Sequence, residues 1–252
     1  MKNKGFTLVE IVVTLAITMI MTTIIYVAIN ATQRSASGIE GKITAQQDEK
    51  AALSVMEMEI RMASFNPSFV PDDALWLNRA TCAVGDFSAN PSYKGIQEAT
   101  ANSITIQMDT FLDPTLTPPS ENGVIGDDNE IIRYNYDTTA ANRYITRATN
   151  CGPAQPFLGA AGGSGVEKTV NVINNELGIP VFRYFDGVGT DISATVVSNP
   201  GSQTVGILAI RRIDIILAVE TEFIDKATKQ RRRMIYSSSV IVRNHAPEVS
   251  GM

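Results

Sequence analysis

The chain predicts an α+β fold in which one long amino-terminal helix is followed by a head built on antiparallel strands. Three observations predict it. No proline occurs between Phe6 and Pro67, so nothing interrupts a helix there. Residues 103–108, 130–136 and 143–149 concentrate β-branched and aromatic side chains in strand-length runs. Between such runs the chain is rich in proline, glycine, asparagine and aspartate, which is turn and loop chemistry.

The helix begins with Met1-Lys-Asn-Lys-Gly-Phe-Thr-Leu-Val-Glu10. Glu10 is the only charged side chain between Gly5 and Arg34. The 19 residues from Ile11 to Ile29 carry no charge, enough helix to cross a hydrocarbon core of about 30 Å. A cleaved secretory peptide has a shorter apolar core and a small-x-small site after it. Asn30-Ala-Thr-Gln-Arg34 offers no such site, so the segment is expected to be retained. Lys2 and Lys4 before the span place everything after Arg34 outside the cytoplasm by the positive-inside rule. A carboxylate inside such a span is costly and marks a functional site by default.

Lys4-Gly5-Phe6-Thr7-Leu8-Val9-Glu10 followed by an apolar helix resembles the amino-terminal signal of type IV prepilins and type II secretion pseudopilins. The resemblance covers residues 1–30. It implies cleavage between Gly5 and Phe6 by a membrane-embedded prepilin peptidase, followed by methylation of the new Phe6 amine. It also implies that Glu10 docks each subunit into a growing fibre, and physics agrees: a carboxylate in hydrocarbon becomes cheaper when it meets a cation, here the Phe6 amine of a neighbouring copy. The alternative is that Glu10 lies at headgroup level and only marks the helix start. Many pilins bend this helix at a proline within the span, which this chain lacks. The expected divisions are a leader (1–5), a membrane and assembly half (6–30), an amphipathic half (31–64) and a β-rich head (65–252).

Beyond the span, Ile39, Ile43, Leu53, Met56, Ile60 and Ala63 recur at helical spacing, with Asp48, Glu49, Lys50 and Arg61 placed to the side. One continuous helix of nearly 60 residues would be about 90 Å long. Gly38 and Gly41 are its weak points, each costing about 1 kcal/mol relative to alanine, and fit either a local melt or bend during assembly or a tolerated loose turn, the latter preferred.

In the head, Leu75-Trp76-Leu77 is expected to anchor an irregular loop, with Trp76 in a core. Residues 103–108 predict a half-buried strand, residues 113–128 a surface loop, and Glu130–Tyr136 with Arg143–Thr149 an antiparallel hairpin. Residues 166–177 fit a strand or a short helix. Pro180–Phe185 predicts a strand running into an Asp186-Gly187 turn, and residues 204–222 and 231–243 a closing pair, with no further helical pattern. The order of Phe182-Arg-Tyr-Phe-Asp-Gly187, Ile210-Arg-Arg-Ile-Asp-Ile-Ile216 and Ser239-Val-Ile-Val-Arg-Asn244 is similar to the carboxy-terminal half of PilW-type minor pilins and GspJ-type pseudopilins. That resemblance implies a place at or near a fibre tip.

Leader removal changes the charge from −5 to 21 − 2 = 19 bases against 26 acids, or −7. An acidic surface argues against non-specific nucleic-acid binding. Arg211-Arg212 and Arg231-Arg232-Arg233 are the only basic concentration. If their strands pair they are expected as one patch for an acidic neighbour or DNA, or else as edge-strand protection. Cys82 and Cys151 lie 151 − 82 = 69 positions apart. Outside the cytoplasm they are expected to pair, worth about 4 kcal/mol, against the alternative of two separate buried thiols.

Gly162-Gly-Ser-Gly-Val-Glu-Lys-Thr169 misses the phosphate-binding loop pattern, because Glu167 replaces its second glycine. His245 is the only histidine, which excludes multi-histidine metal sites, and it is expected in a solvated tail. Asp127-Asp128 and Asp186 with Asp191 offer oxygen ligands that calcium accepts, but their spacing is not that of a helix-loop-helix calcium site and plain solvated turns are the simpler reading. No cofactor is implied. The expected role is a structural subunit rather than an enzyme, a PilW-like minor pilin, with prepilin peptidase, other pilin subunits and the bacterial inner membrane as partners. A secretion pseudopilin is the nearest alternative, and a membrane-tethered periplasmic binding module or enzyme is the alternative from another class.

Overall fold

A computed structural model describes residues 6–76, 93–110, 112–113, 120–121, 123–139, 143–150, 152–159, 168–225 and 228–245. Helix α1 runs unbroken from Leu8 to Arg61, 54 residues. In chain order there follow α2 (Asp72–Leu75), β1 (Ile96–Ala99), β2 (Ser103–Gln107), β3 (Leu112–Asp113), β4 (Ser120–Glu121), β5 (Ile131–Tyr136), β6 (Ile145–Thr149), β7 (Gln155–Leu158) and β8 (Val170–Val172). The chain continues through α3 (Asn174–Leu177), β9 (Phe182–Phe185), α4 (Ser193–Ser198), β10 (Arg212–Thr221) and β11 (Arg233–Ile241). The fold is α+β, one long helix packed on antiparallel sheets.

Two sheets share the work. One is ordered β1-β2-β5-β6-β7. In the other, β10 pairs with β11 along its length on one side and with β9 and β8 on the other. The predicted hairpin forms as β5 and β6, with Tyr134 opposite Arg147. Strand β2 is buried on both faces rather than half-buried, because Glu98 covers its polar side. That carboxylate accepts from Ser103 and Thr105, and Arg133 holds it in two-pronged fashion at 2.8 and 3.0 Å. Residues 166–177 hold both expected alternatives, strand β8 and the four-residue helix α3, and the head also contains the short helices α2 and α4, which were not expected. They are too short for a periodic apolar pattern to reveal them. The expected strand over 204–222 starts only at Arg212, since Ile207–Ala209 forms a 3-10 turn.

The half of α1 on the head buries Ala45, Glu49, Ala52, Met56, Ile60 and Ala63. This differs from the expected stripe in two ways. Ile39 and Ile43 are exposed, because they lie on a stretch of helix below the sheet's main contact. Glu49, expected at the side, faces inward among small alanines that let the helix approach the sheet. Glu57 accepts from Ser238 at 2.9 Å, and Glu59 accepts from Arg147 at 2.7 Å and also from the Tyr134 hydroxyl. Gly38 is more than a loose turn, since a β-carbon there would stand 3.1 Å from Asp225 Oδ1. Glycine lets the turn between β10 and β11 lie against the helix.

Trp76 is buried with Leu75, Ile125 and Ile131, as expected of a loop anchor, and its Nε1 donates to Asp72 at 2.6 Å.

Candidate functional site: the bare amino-terminal helix

Helix α1 divides into two halves by what touches it. From Phe6 to Ile29 every side chain is exposed. Among the described residues α1 is the one helix long and apolar enough to cross a membrane, and its most apolar stretch packs on nothing in the head. Its threonine hydroxyls are satisfied internally. Thr14, Thr18, Thr22 and Thr23 donate to the carbonyls of Glu10, Thr14, Thr18 and Met19 at 3.0, 2.7, 2.8 and 2.9 Å. These threonines can meet hydrocarbon without stranding a donor.

The helix start is built by Thr7 and Glu10. Thr7 is extended (φ −81°, ψ 149°), and its Oγ1 accepts from the Glu10 amide at 3.3 Å. In return Glu10 Oε2 accepts from the Thr7 amide at 3.4 Å and the Thr7 hydroxyl at 3.3 Å. This reciprocal pair follows from threonine and glutamate three positions apart, a signature that the recognition of Glu10 alone passes over. An acid in the first turn also opposes the positive end of the helix dipole. Bonds of 3.3 to 3.4 Å are at the weak end of the range, so the carboxylate retains capacity for a charged donor, which bonds more strongly and closer. Phe6, 84% exposed, stands immediately before this cap. Gly5 lies outside the described residues.

A family model described as the prokaryotic N-terminal methylation motif matches residues 1–26. The chain carries a prepilin-type amino terminus. That supports a type IV pilin-like or pseudopilin-like protein with a membrane-anchoring helix, and the bare half of α1 is its structural counterpart. No curated protein and no solved structure matches the chain.

The other sequence candidates are dispersed over the head. The two arginine clusters do not form one patch. Arg212 pairs with Ile241 and Arg233 with Glu220, which puts the clusters at opposite ends of the β10-β11 ladder. Antiparallel pairing of strands joined by a short turn separates their outer ends by construction. Each cluster is also occupied. Arg211 donates to the carbonyls of Leu208, Ile210 and His245, and Arg212 lies 3.9 Å over the Phe185 ring. Arg231 bridges to Glu220 and Glu222, Arg232 to Asp225 at 2.6 Å, and Arg233 to Glu220.

Asp127 and Asp128 flank a turn whose amides are claimed by Glu130, which accepts from Gly126 and Asp127 at 2.8 Å each. Desolvation pushes the Asp186 carboxyl up, but the amides of Thr190 and Val188, from which Oδ1 accepts, together with further local bonds hold it below the usual range. Asp191 bridges to Arg183 and accepts from Ser193. Among the described residues no three His, Cys, Asp or Glu side chains converge as metal ligands would. Cys82, Cys151 and residues 162–167 lie outside the described residues.

His245 is not in a solvated tail. It is fully buried, with Nδ1 2.7 Å from Ser64 Oγ and Nε2 2.9 Å from the Ile207 carbonyl. Nε2 must donate to that carbonyl, so Nδ1 accepts from Ser64. The ring fastens the last turn to the end of α1, where Ser64 leaves the helix at φ +63°. Burial pushes the imidazole pKa down to about 4. Glu49 is the second buried titratable group that sequence missed. Neither oxygen has a hydrogen-bond partner, and desolvation raises its pKa to about 8. No local signal marks such a residue, because polar character alone predicts exposure.

Proposed function

We propose that this protein is a structural subunit of a type IV pilus, a PilW-like minor pilin, and not an enzyme. In this reading it is cut after Gly5, methylated at Phe6, held in the inner membrane with its head outside the cytoplasm, and built into a fibre or its initiating tip complex through α1. The observation that carries it is the bare apolar half-helix that begins at a glutamate and joins a methylation motif. An apolar surface of that extent needs lipid or other helices around it. A bundle of copies supplies those helices and, at the level of Glu10, the Phe6 amine of a neighbour. That ammonium competes with the long bonds from Thr7 and relieves the cost of a carboxylate in hydrocarbon.

The test is Glu10→Ala. Mass spectrometry is expected to find the variant still cut and methylated at Phe6, while its amount in sheared fibres or co-purified tip complexes falls at least about tenfold, the loss of roughly 1.4 kcal/mol or more of docking energy. Wild-type incorporation of the variant would refute the docking role. A wild-type mature chain that starts anywhere but Phe6 would refute the prepilin reading.

A further inference from the structure

Down α1 towards its bare half, the sheet partners change in order. Glu57 meets Ser238, Lys50 lies over the Tyr236 ring, and Gly38 meets Asp225 in the turn between β10 and β11. Among the described residues that turn is therefore the part of the head nearest the membrane segment. Gly38 is nine residues beyond Ile29, about 13 Å of helix, and the headgroup layer itself accounts for about 5–8 Å of that height. A helix tilt of about 20° lowers a turn 10 Å to one side by roughly 3 Å more. The stem of a lysine spans what remains.

The turn is dressed for such a boundary. Phe223 and Ile224 are 61% and 58% exposed, and they line one cleft with Gly38, Gly41 and Lys42 of the helix. Exposed apolar side chains gathered at one place mark an interaction surface. Lys42 and Lys229 flank them with no acidic partner among the described residues. Charge is distributed accordingly. Residues 30–43 and 220–233 together hold seven Lys or Arg against four Asp or Glu, an excess of 7 − 4 = 3, in a chain of net charge −5. The cleft between helix and turn is not itself an anion pocket, because Asp225 occupies it and is already bonded to Arg232. What faces outward is an apolar tip with a basic collar.

Resting on the membrane-anchor reading above, we infer that the β10-β11 turn of the unassembled subunit docks on the outer surface of its own membrane. Phe223 and Ile224 enter the interface, and Lys42 and Lys229 face anionic phospholipid headgroups. An aromatic and an aliphatic side chain at headgroup depth, with cations beside them, is the chemistry that interfacial anchors use. A basic residue close to an anionic leaflet shifts the docked-to-free ratio about fivefold. The head is thereby held against the leaflet until assembly lifts the subunit out.

The test uses the full chain in lipid nanodiscs with Phe223→Trp as reporter. Position 223 is exposed, so an aromatic exchange disturbs no core. Trp76, the chain's single native tryptophan, is buried beyond the far end of α1 and serves as an unquenched internal control. With brominated acyl chains and phosphatidylglycerol present, the added emission is expected to be quenched and Trp76 emission unchanged. Phosphatidylcholine discs, or Lys229→Glu with Lys42→Glu, are expected to remove most of that quenching. Unquenched emission at position 223 in a chain that is retained in the discs overturns the docking, and shielding that appears only on assembly assigns the tip to another copy instead. Equal quenching in both lipids overturns the anionic recognition. A chain that does not stay in the discs at all overturns the membrane-anchor reading itself.

Discussion

Glu10 and Glu49 sit on the same helix, yet one is exposed and bonded to the helix cap while the other is fully buried and bare. Glu10 takes two bonds from Thr7 and waits at an open surface. Glu49 has 0% of its surface exposed and no donor at either oxygen. Its sequence neighbours are otherwise engaged, Asp48 accepting from Thr169 at 2.5 Å and Lys50 lying 5.7 Å over the Tyr236 ring. The difference teaches that an acid in an oily helix has two physical solutions. It can keep its charge and find a cation, as we propose for Glu10, or give up its charge and pass for an apolar side chain, as Glu49 does.

The largest expected effect is therefore at Glu49. Its folded pKa of about 8 lies above its ordinary 4.5, so the folded head holds a proton that the unfolded chain has released between those values. Stability contributed by this group is present below pH 4.5 and is lost as pH rises towards 8, and the loss amounts to roughly 4–5 kcal/mol. Glu49→Leu, close in volume and free of the charge, is expected to raise stability at pH 8.5 by several kcal/mol and by much less at pH 5. Thermal unfolding of the head in detergent, followed by near-ultraviolet circular dichroism, reads both. An equal effect at the two pH values would show that Glu49 does not carry its proton into neutral solution, and the contrast with Glu10 would fail.

His245 sharpens the comparison because its sign is opposite. Burial, with Arg211 and Lys94 nearby, puts its folded pKa at about 4, below the ordinary 6.5. The unfolded chain then holds the extra proton, and stability is lost as pH falls from 6.5 to 4, by about 3 kcal/mol. Between pH 4.5 and 6.5 the two groups offset each other, one proton against one proton. In the wild-type head their joint contribution is expected to be flat there. Glu49→Gln should expose the histidine alone, as a rise of about 1.4 kcal/mol per pH unit over that interval. A variant that stays flat would mean that the imidazole titrates near its ordinary value.

How much of this was legible beforehand follows from the kind of signal each feature leaves. The helix was legible because 60 residues without proline, half of them apolar, admit little else. The β5-β6 hairpin was legible because Ile131, Ile132, Tyr134 and Ile145 fit a pleated, half-buried surface. Glu10 stands out in the sequence as the one acid ahead of a long apolar run. Glu49 does not, because helical spacing ranks a glutamate as a side-facing residue and only the tertiary position of the sheet decides which stripe of α1 is covered. The same holds for His245, whose burial depends on Ser64 and Ile207, residues 181 and 38 positions away. The opposed placement of the arginine clusters was in principle readable from strand direction, since partners equidistant from a turn meet and those at different distances do not.

The smallest expected effect separates the two halves of α1. Thr7→Ala removes the side-chain acceptor for the Glu10 amide and one donor to the Glu10 carboxylate, at a cost of about 1 kcal/mol to the first turn. Nothing of the head touches that turn, so the loss should stay local. Hydrogen exchange of the Glu10 and Ile11 amides in micelles is expected to quicken about fivefold, while the melting of the head is unchanged. Glu10 in the variant has one partner fewer within its own chain and is freer to meet a neighbour's amine, so incorporation into fibres should be held or rise. A fall in incorporation comparable to that of Glu10→Ala would mean that the cap, and not the free carboxylate, is what the assembly reads.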